Sequence, residues 1–310
     1  MEKIKKQNVA KKMENKRNEL IVLLGERNLP GGNAPLVVRG DDCGGYILET
    51  LMLDLNGVEL VPAYLAFPKT ANGKVPLVLF NHSHGGNFEK GKDELIKSSG
   101  YLQKKSFADE ITGLGYAAAC IDMWGFGGRQ GKKESELVKE SLLYGRPLWG
   151  MRIFDNIEFL SYLLTREEID ETRIASIGMS MGGLMSWWHT AVDERIKISV
   201  DIAAQVEVEA LIKCRKLDKH NFYYYLPGFL KHFSTLDVQK LIAPRPRLSI
   251  YGKDDEGCPA DGVKNLEEGL KLCYKELSAE GNFIGAAVTG GHQETAETRK
   301  LWIEFLKDNL

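Results

Sequence analysis

The feature that most constrains this chain is Ile174-Ala-Ser-Ile-Gly-Met-Ser-Met-Gly-Gly183, an apolar run that ends in Gly-x-Ser-x-Gly and leads into Leu184-Met-Ser-Trp-Trp188. It reads as a buried strand, a sharp turn and a helix, with Ser180 at the apex. Gly178 and Gly182 flank the serine where a side chain would collide with neighbouring backbone, so the turn can hold the serine strained and exposed. The amide of Met181 then falls at a helix N-terminus, where an oxyanion can be received.

The 310 residues suffice for one sizeable core, and one domain with insertions is expected. The net charge of −2 and the lack of a basic block interleaved with aromatics argue against nucleic acid as a partner. Cys43, Cys120, Cys214, Cys258 and Cys273 are an odd, scattered set without a C-x-x-C pair, so neither a disulfide framework nor a zinc site is suggested. The first twenty residues are rich in Lys and Glu, and no run approaches a membrane span, so no membrane partner and a cytoplasmic, reducing location are expected.

Residues 1–29 carry Ile4, Val9, Met13, Leu20, Ile21, Leu23 and Leu24 among many charges, an amphipathic helix closed by Asn28-Leu-Pro-Gly-Gly32. The division expected is a helical arm over 1–32, packed on the surface of a domain over 33–310. Tyr46–Leu55 and Val58–Phe67 are β-rich runs separated by Asn56-Gly57, which predicts an antiparallel hairpin opening the sheet. Val75–Phe80 and Tyr116–Ile121 read as buried strands, with a helix over Leu102–Leu114 between them. Further strands are expected at Ile196–Ala203, Arg247–Tyr251 and Asn282–Val288, and helices at Arg152–Leu164, Leu266–Leu277 and Thr295–Leu310. This alternation implies a mostly parallel central sheet with right-handed crossovers and helices on both faces. Two segments break the rhythm. Residues 129–149 form a polar insertion with a short helix around Glu134–Leu143. Residues 204–240, with Phe222-Tyr-Tyr-Tyr-Leu-Pro-Gly-Phe229, concentrate aromatics and form the candidate cap over the site.

A serine hydroxyl is a weak nucleophile and needs a base, which in turn needs an orienting acid. His292 falls in the loop after the last strand, and Asp254 and Asp255 in the loop after the strand before it. A second oxyanion donor is expected in His82-Ser-His-Gly85, with His84 preferred to Gly85. His82 and His84 also form a His-x-His pair, but no third ligand is identifiable and no metal is expected. Asp122 ends a strand beside this loop and reads as a structural brace.

Phe80-Asn-His-Ser-His-Gly-Gly-Asn87, Gly178-Met-Ser-Met-Gly-Gly183, Leu241-Ile-Ala-Pro-Arg-Pro246 and Gly290-Gly-His292, with Trp149-Gly-Met-Arg-Ile-Phe-Asp155, resemble the dienelactone-hydrolase-like and acetyl-xylan-esterase-like branch of the α/β-hydrolase superfamily. The resemblance runs from about residue 46 to the C-terminus. It implies the α/β-hydrolase fold and a catalytic triad in the order Ser180, Asp255, His292. The spacing usual in the family, three residues after a strand-ending glycine (Gly252) and four before a proline (Pro259), chooses Asp255 over Asp254. Two departures stand out: His82-Ser83 replaces the common His-Gly, and the nucleophile is serine where dienelactone hydrolases use cysteine. The second departure favours ester hydrolysis.

The function expected is therefore a cofactor-free serine carboxylesterase acting through an acyl-enzyme on small esters, or more narrowly a deacetylase of acetylated sugars. Met181 and His84 would supply the oxyanion hole, and His82, Gly85, Trp124, Tyr224 and Phe229 would contact substrate in a partly apolar, aromatic-walled pocket. The alternatives are an amide or peptide hydrolase on the same triad and a non-catalytic binding module. A small-molecule ester is the expected partner, with self-association into a homo-oligomer left open.

Overall fold

A computed structural model of the protein describes residues 2–32 and 36–310, without the side chains of residues 2–10 and 38. The Ile4 and Val9 side chains of the expected N-terminal helix therefore lie outside the described residues. The sheet consists of β1 (Leu36–Asp42), β2 (Tyr46–Asp54), β3 (Leu60–Pro68), β4 (Val75–Asn81), β5 (Ala117–Ile121), β6 (Ile169–Met179), β7 (Ile198–Ile202), β8 (Arg247–Gly252) and β9 (Phe283–Val288). Its spatial order is β1-β2-β3-β5-β4-β6-β7-β8-β9. The first three strands are antiparallel to their neighbours, and β5, β4, β6, β7, β8 and β9 run parallel.

The hairpin does not open the sheet, as β1 precedes it at the edge and pairs with β2. That strand, Leu-Val-Val-Arg-Gly-Asp-Asp, is half polar and bends at a register shift between Val37 and Arg39, so it lacks the clean alternation that reveals a strand. The hairpin loop is also longer than two residues. Asp54 accepts from Gly57 N at 2.7 Å, and Asn56 Oδ1 accepts from Val58 N at 2.9 Å, so side chains stand in for ladder bonds across residues 55–59.

The helices are α1 (Glu2–Leu23), α2 (Phe107–Gly113), α3 (Glu134–Leu143), α4 (Leu148–Leu163), α5 (Met181–Val192), α6 (Val208–Lys213), α7 (Phe229–His232), α8 (Thr235–Lys240), α9 (Ala260–Glu276) and α10 (Ala296–Asn309). Helix α2 starts five residues later than expected because Ser106 caps it, accepting from Asp109 N at 3.0 Å. Leu102 is buried in the loop before it.

Successive residues of β4 feed opposite faces, as the period of a strand demands. Val78 and Phe80 pack with Phe107 of α2 and Trp302 of α10, whereas Leu77 and Leu79 pack with Phe159, Leu160 and Leu163 of α4. Parallel strands covered on both sides must be apolar nearly throughout, which is why β4 and β5 are fully buried. Helix α1 docks on this chain: Leu20 and Leu24 are buried, and Arg17 Nε donates to Ala191 O of α5 at 2.9 Å. Among the described residues no helix is long and apolar enough to cross a membrane.

Candidate active site

The site is assembled at the carboxyl ends of the parallel strands. Ser180 sits between β6 and α5 with φ 58° and ψ −122°, the left-handed region that a side chain adopts only when its surroundings enforce it. The enforcement is visible. A β-carbon on Gly178 would lie 2.5 Å from the Gly182 backbone, and one on Gly182 would lie 1.9 Å from Asn81 O. Asn81 Nδ2 donates to Ser176 Oγ and Ser186 Oγ, both at 3.0 Å, tying the end of β4 to the strand and helix of the turn.

His292, in the loop after β9, and Asp255, in the loop after β8, converge on Ser180. His292 Nε2 lies 2.8 Å from Ser180 Oγ, and His292 Nδ1 lies 2.8 Å from Asp255 Oδ2. An ionised carboxylate can only accept, so Nδ1 carries the proton and Nε2 turns its lone pair to the hydroxyl. Asp255 is buried and takes a second bond from Gly257 N at 2.9 Å. Burial pushes its carboxyl up, but the hydrogen bond and charge of His292 outweigh this and hold it below its ordinary value. Asp254 is exposed, and the bond it makes here is through its amide, to Gly290 O.

The loop after β4 presents its backbone on the other side of the serine. Ser83 N donates to Glu94 at 2.6 Å and Gly86 N donates to His84 Nδ1 at 3.2 Å, so these two amides are engaged and those of His84 and Gly85 lie between them. His82 is fully buried, with Nδ1 on Ser83 O and Nε2 accepting from Met123 N, which leaves it neither a lone pair for a metal nor a face for substrate. Burial lowers its pKa from the ordinary imidazole value. Among the described residues no group of three or more His, Cys, Asp or Glu is arranged to hold a metal. Asp122 accepts from Lys92 N at 2.7 Å and Gly128 N at 3.0 Å, bracing two loops.

A cavity of about 590 Å³ opens at Ser180. His84 and Gly85 line it, together with Lys219, His220, Asn221 and Tyr223 from the 204–240 segment. That segment also grips the loop of Asp255: His220 Nε2 donates to Gly257 O at 3.0 Å and Lys219 pairs with Glu256 at 3.2 Å. The expected aromatic wall is not there. Tyr224 and Phe229 turn inward, Tyr224 edge-on to Trp149 and Phe229 against Trp188, and both belong to the core. Trp124 lines a different cleft, beneath the Arg129 guanidinium. The reason is energetic: large rings between two strands gain more by burial than by walling a polar cavity. Tyr223 is the one ring of the aromatic run that reaches the cavity, stacked on His84 at 5.6 Å between centroids. His220, Asn221 and Lys219 were not legible as site residues, since only their place in the candidate cap marks them.

The sheet order, the strained serine turn and the loops that converge on it define an α/β-hydrolase fold. The same fold is found in the glucuronoyl esterase from Solibacter usitatus, with a TM-score of 0.74 at 12% identity over 94% of this chain and 92% of that one. The acetyl xylan esterase from Paenibacillus sp. R4 superposes with a TM-score of 0.64 at 16% identity, covering 97% of this chain and 93% of that one. No family model matches the chain. It is 47% identical over 295 residues to "Putative hydrolase YtaP" of Bacillus subtilis, spanning 94% of this chain and 98% of that protein, and it belongs to the same family.

Proposed function

We propose that the protein is a serine hydrolase that cleaves carboxylic esters of small, polar molecules through an acyl-enzyme on Ser180. The observation that carries the reading is the pair of 2.8 Å contacts that join Ser180, His292 and Asp255 in one line. His292 Nε2 takes the Ser180 proton as Oγ attacks the ester carbonyl, and the amides of Met181 and His84 receive the oxyanion. The tetrahedral intermediate collapses, and His292 gives its proton to the departing alcohol. A water activated by the same base then hydrolyses the acyl-enzyme, releasing the acid and restoring the Ser180 hydroxyl. Asp255 holds the tautomer and stabilises the imidazolium. No step calls on a cofactor.

The lining of Lys219, His220, Asn221, Asp254 and Glu256 favours a hydrophilic substrate over a long acyl chain. Deacetylation of an acetylated sugar is the narrower form of the reading. It is supported by that lining and by the structural likeness to an acetyl xylan esterase. The reading includes a helical arm over 1–32 on a single hydrolase domain over 33–310, acting in the cytoplasm without nucleic-acid or membrane partners.

Hydrolysis of p-nitrophenyl acetate, butyrate and octanoate, by the wild type and by Ser180→Ala, tests this directly. Acetate should be the preferred ester, and the variant should lose about 10⁴-fold or more in kcat. Faster turnover of a matched p-nitroanilide than of the ester would overturn it.

A further inference from the structure

Arg152 of α4 is fully buried, and Glu134, the first residue of α3 in the 129–149 insertion, is nearly so. They pair at 3.1 Å between Arg152 Nη2 and Glu134 Oε1. Each then reaches one side of the oxyanion site. Arg152 Nη1 contacts Met181 Sδ at 3.4 Å, and Glu134 Oε2 faces His84 Nε2 at 3.4 Å. One ion pair thus touches the side chains of both residues whose amides are read above as oxyanion donors.

The pair is held by several further contacts. Arg152 Nη2 also donates to Trp124 O at 2.7 Å, and its guanidinium lies 5.2 Å from the Phe126 ring and 5.0 Å from the Tyr223 ring. Gly86 N donates to His84 Nδ1, so Nε2 carries the proton and points it at the Glu134 carboxylate, the acceptor it faces. Burial raises the Glu134 pKa, but the His84 bond and the Arg152 charge more than offset it, and the carboxyl is held below its ordinary value. Replacing a buried ion pair by apolar groups of similar volume is often neutral or stabilising, so stability alone does not account for one at this position. What the pair does supply is a rigid, directional link between two backbones that must be spaced to a fraction of an ångström.

We propose that Arg152 and Glu134 form a positioning pair that sets the spacing of the Met181 and His84 amides without touching substrate. The proposal rests on the acyl-transfer reading above. It makes the 129–149 insertion part of the catalytic apparatus, because Glu134 is supplied by that insertion.

Arg152→Lys keeps the charge but not the fork, Glu134→Gln keeps the volume but not the charge, and Met181→Leu removes the sulfur contact without exposing a charge. Each full-length variant is compared with the wild type for kcat and KM on p-nitrophenyl acetate. A second readout is Ki for a trifluoromethyl ketone, whose carbonyl is attacked by Ser180 Oγ to leave an oxyanion in the same place. Thermal melts establish folding. For the two charge variants we expect kcat to fall about 10- to 100-fold, Ki to rise by the same factor and KM to stay within about threefold, since an oxyanion donor acts in the transition state. For Met181→Leu a loss of about three- to tenfold of the same kind is expected, so the question is answered even if the charge variants fail to fold. Folded variants whose kcat and Ki match the wild type, or whose loss lies in KM alone, would overturn the proposal. A wild type that neither turns over the ester nor binds the ketone would instead overturn the ester-hydrolase reading, and this one with it.

Discussion

The α-carbon of Gly182 lies so close to Asn81 that a β-carbon at residue 182 would sit 1.9 Å from the Asn81 carbonyl oxygen. The contact joins the end of β4 to the first turn of α5 and fixes the height at which the helix leaves the serine turn. A backbone oxygen cannot step aside for a methyl group without moving β4 or α5, and both are packed into the core.

Gly182→Ala is therefore expected to cost esterase activity out of proportion to its size. Displacement of the Met181 amide by a few tenths of an ångström predicts a loss of about 10²-fold or more in kcat together with a lower melting temperature. Unchanged kcat and melting temperature would show that the close approach is relieved without consequence.

The two adjacent carboxylates are expected to separate cleanly. Asp255 binds His292 Nδ1, and its replacement by Asn presents a group that can force the wrong tautomer, a change worth about 10⁴-fold in kcat in the triad for which it is best known. Asp254→Asn should lose far less kcat than Asp255→Asn, because its side chain lines the cavity and any effect falls mainly on KM rather than on the imidazole. Kinetics of the two variants side by side decide the matter, and the reverse order would show that the acid is Asp254.

Native stability should fall as the medium is acidified from neutrality. Burial holds His82 and His220 below the ordinary imidazole pKa, so the unfolded chain takes up these protons first, and stability declines from about pH 6.5 downward. Asp255 and Glu134 are also depressed, but their contribution is present above the ordinary carboxylate range and is lost only nearer pH 4. Melting temperatures at pH 7.5, 6.5 and 5.5 should drop progressively in the wild type and less steeply in His220→Gln. A melting temperature that is flat or rising over that interval is the contrary result.

Helix α1 is expected to contribute to the stability of the whole. Arg17 donates to Ala191 O at 2.9 Å and to Leu241 O at 3.3 Å and pairs with Glu194 at 3.1 Å, although the acid is exposed. Arg17→Ala leaves the Ala191 carbonyl without its charged donor, while Leu241 O keeps Arg245 Nη2 at 3.1 Å, and should cost about 1–2 kcal/mol, measured as a shift in the denaturation midpoint, with kcat for the folded protein unchanged. A shift below about 0.5 kcal/mol would mean that water replaces the guanidinium.

What the sequence made legible follows from where its signals are local. The serine turn was readable because two glycines and a serine between an apolar strand and a helix admit few backbones. The buried strands were readable because burial on both faces leaves an unbroken apolar run. Strand β1 was not, since an edge strand with solvent on one side and a register shift carries no period. The cap was visible as a segment, but the direction of its rings was not. Tyr223 and Tyr224 are adjacent, chemically identical and buried in the same core, and only their packing gives Tyr223 an edge on the Ser180 cavity. The Arg152–Glu134 pair was equally hidden, because 18 residues separate partners that meet only after α3 and α4 have packed.

The most direct test of the account is covalent labelling of the folded protein with a fluorophosphonate, followed by mass spectrometry of its peptides. A single adduct on the peptide containing Ser180, formed quickly in the wild type and slowed by orders of magnitude in His292→Ala, is the result predicted from the 2.8 Å contact between His292 Nε2 and Ser180 Oγ. No adduct in folded protein, or an adduct on another residue, would contradict it.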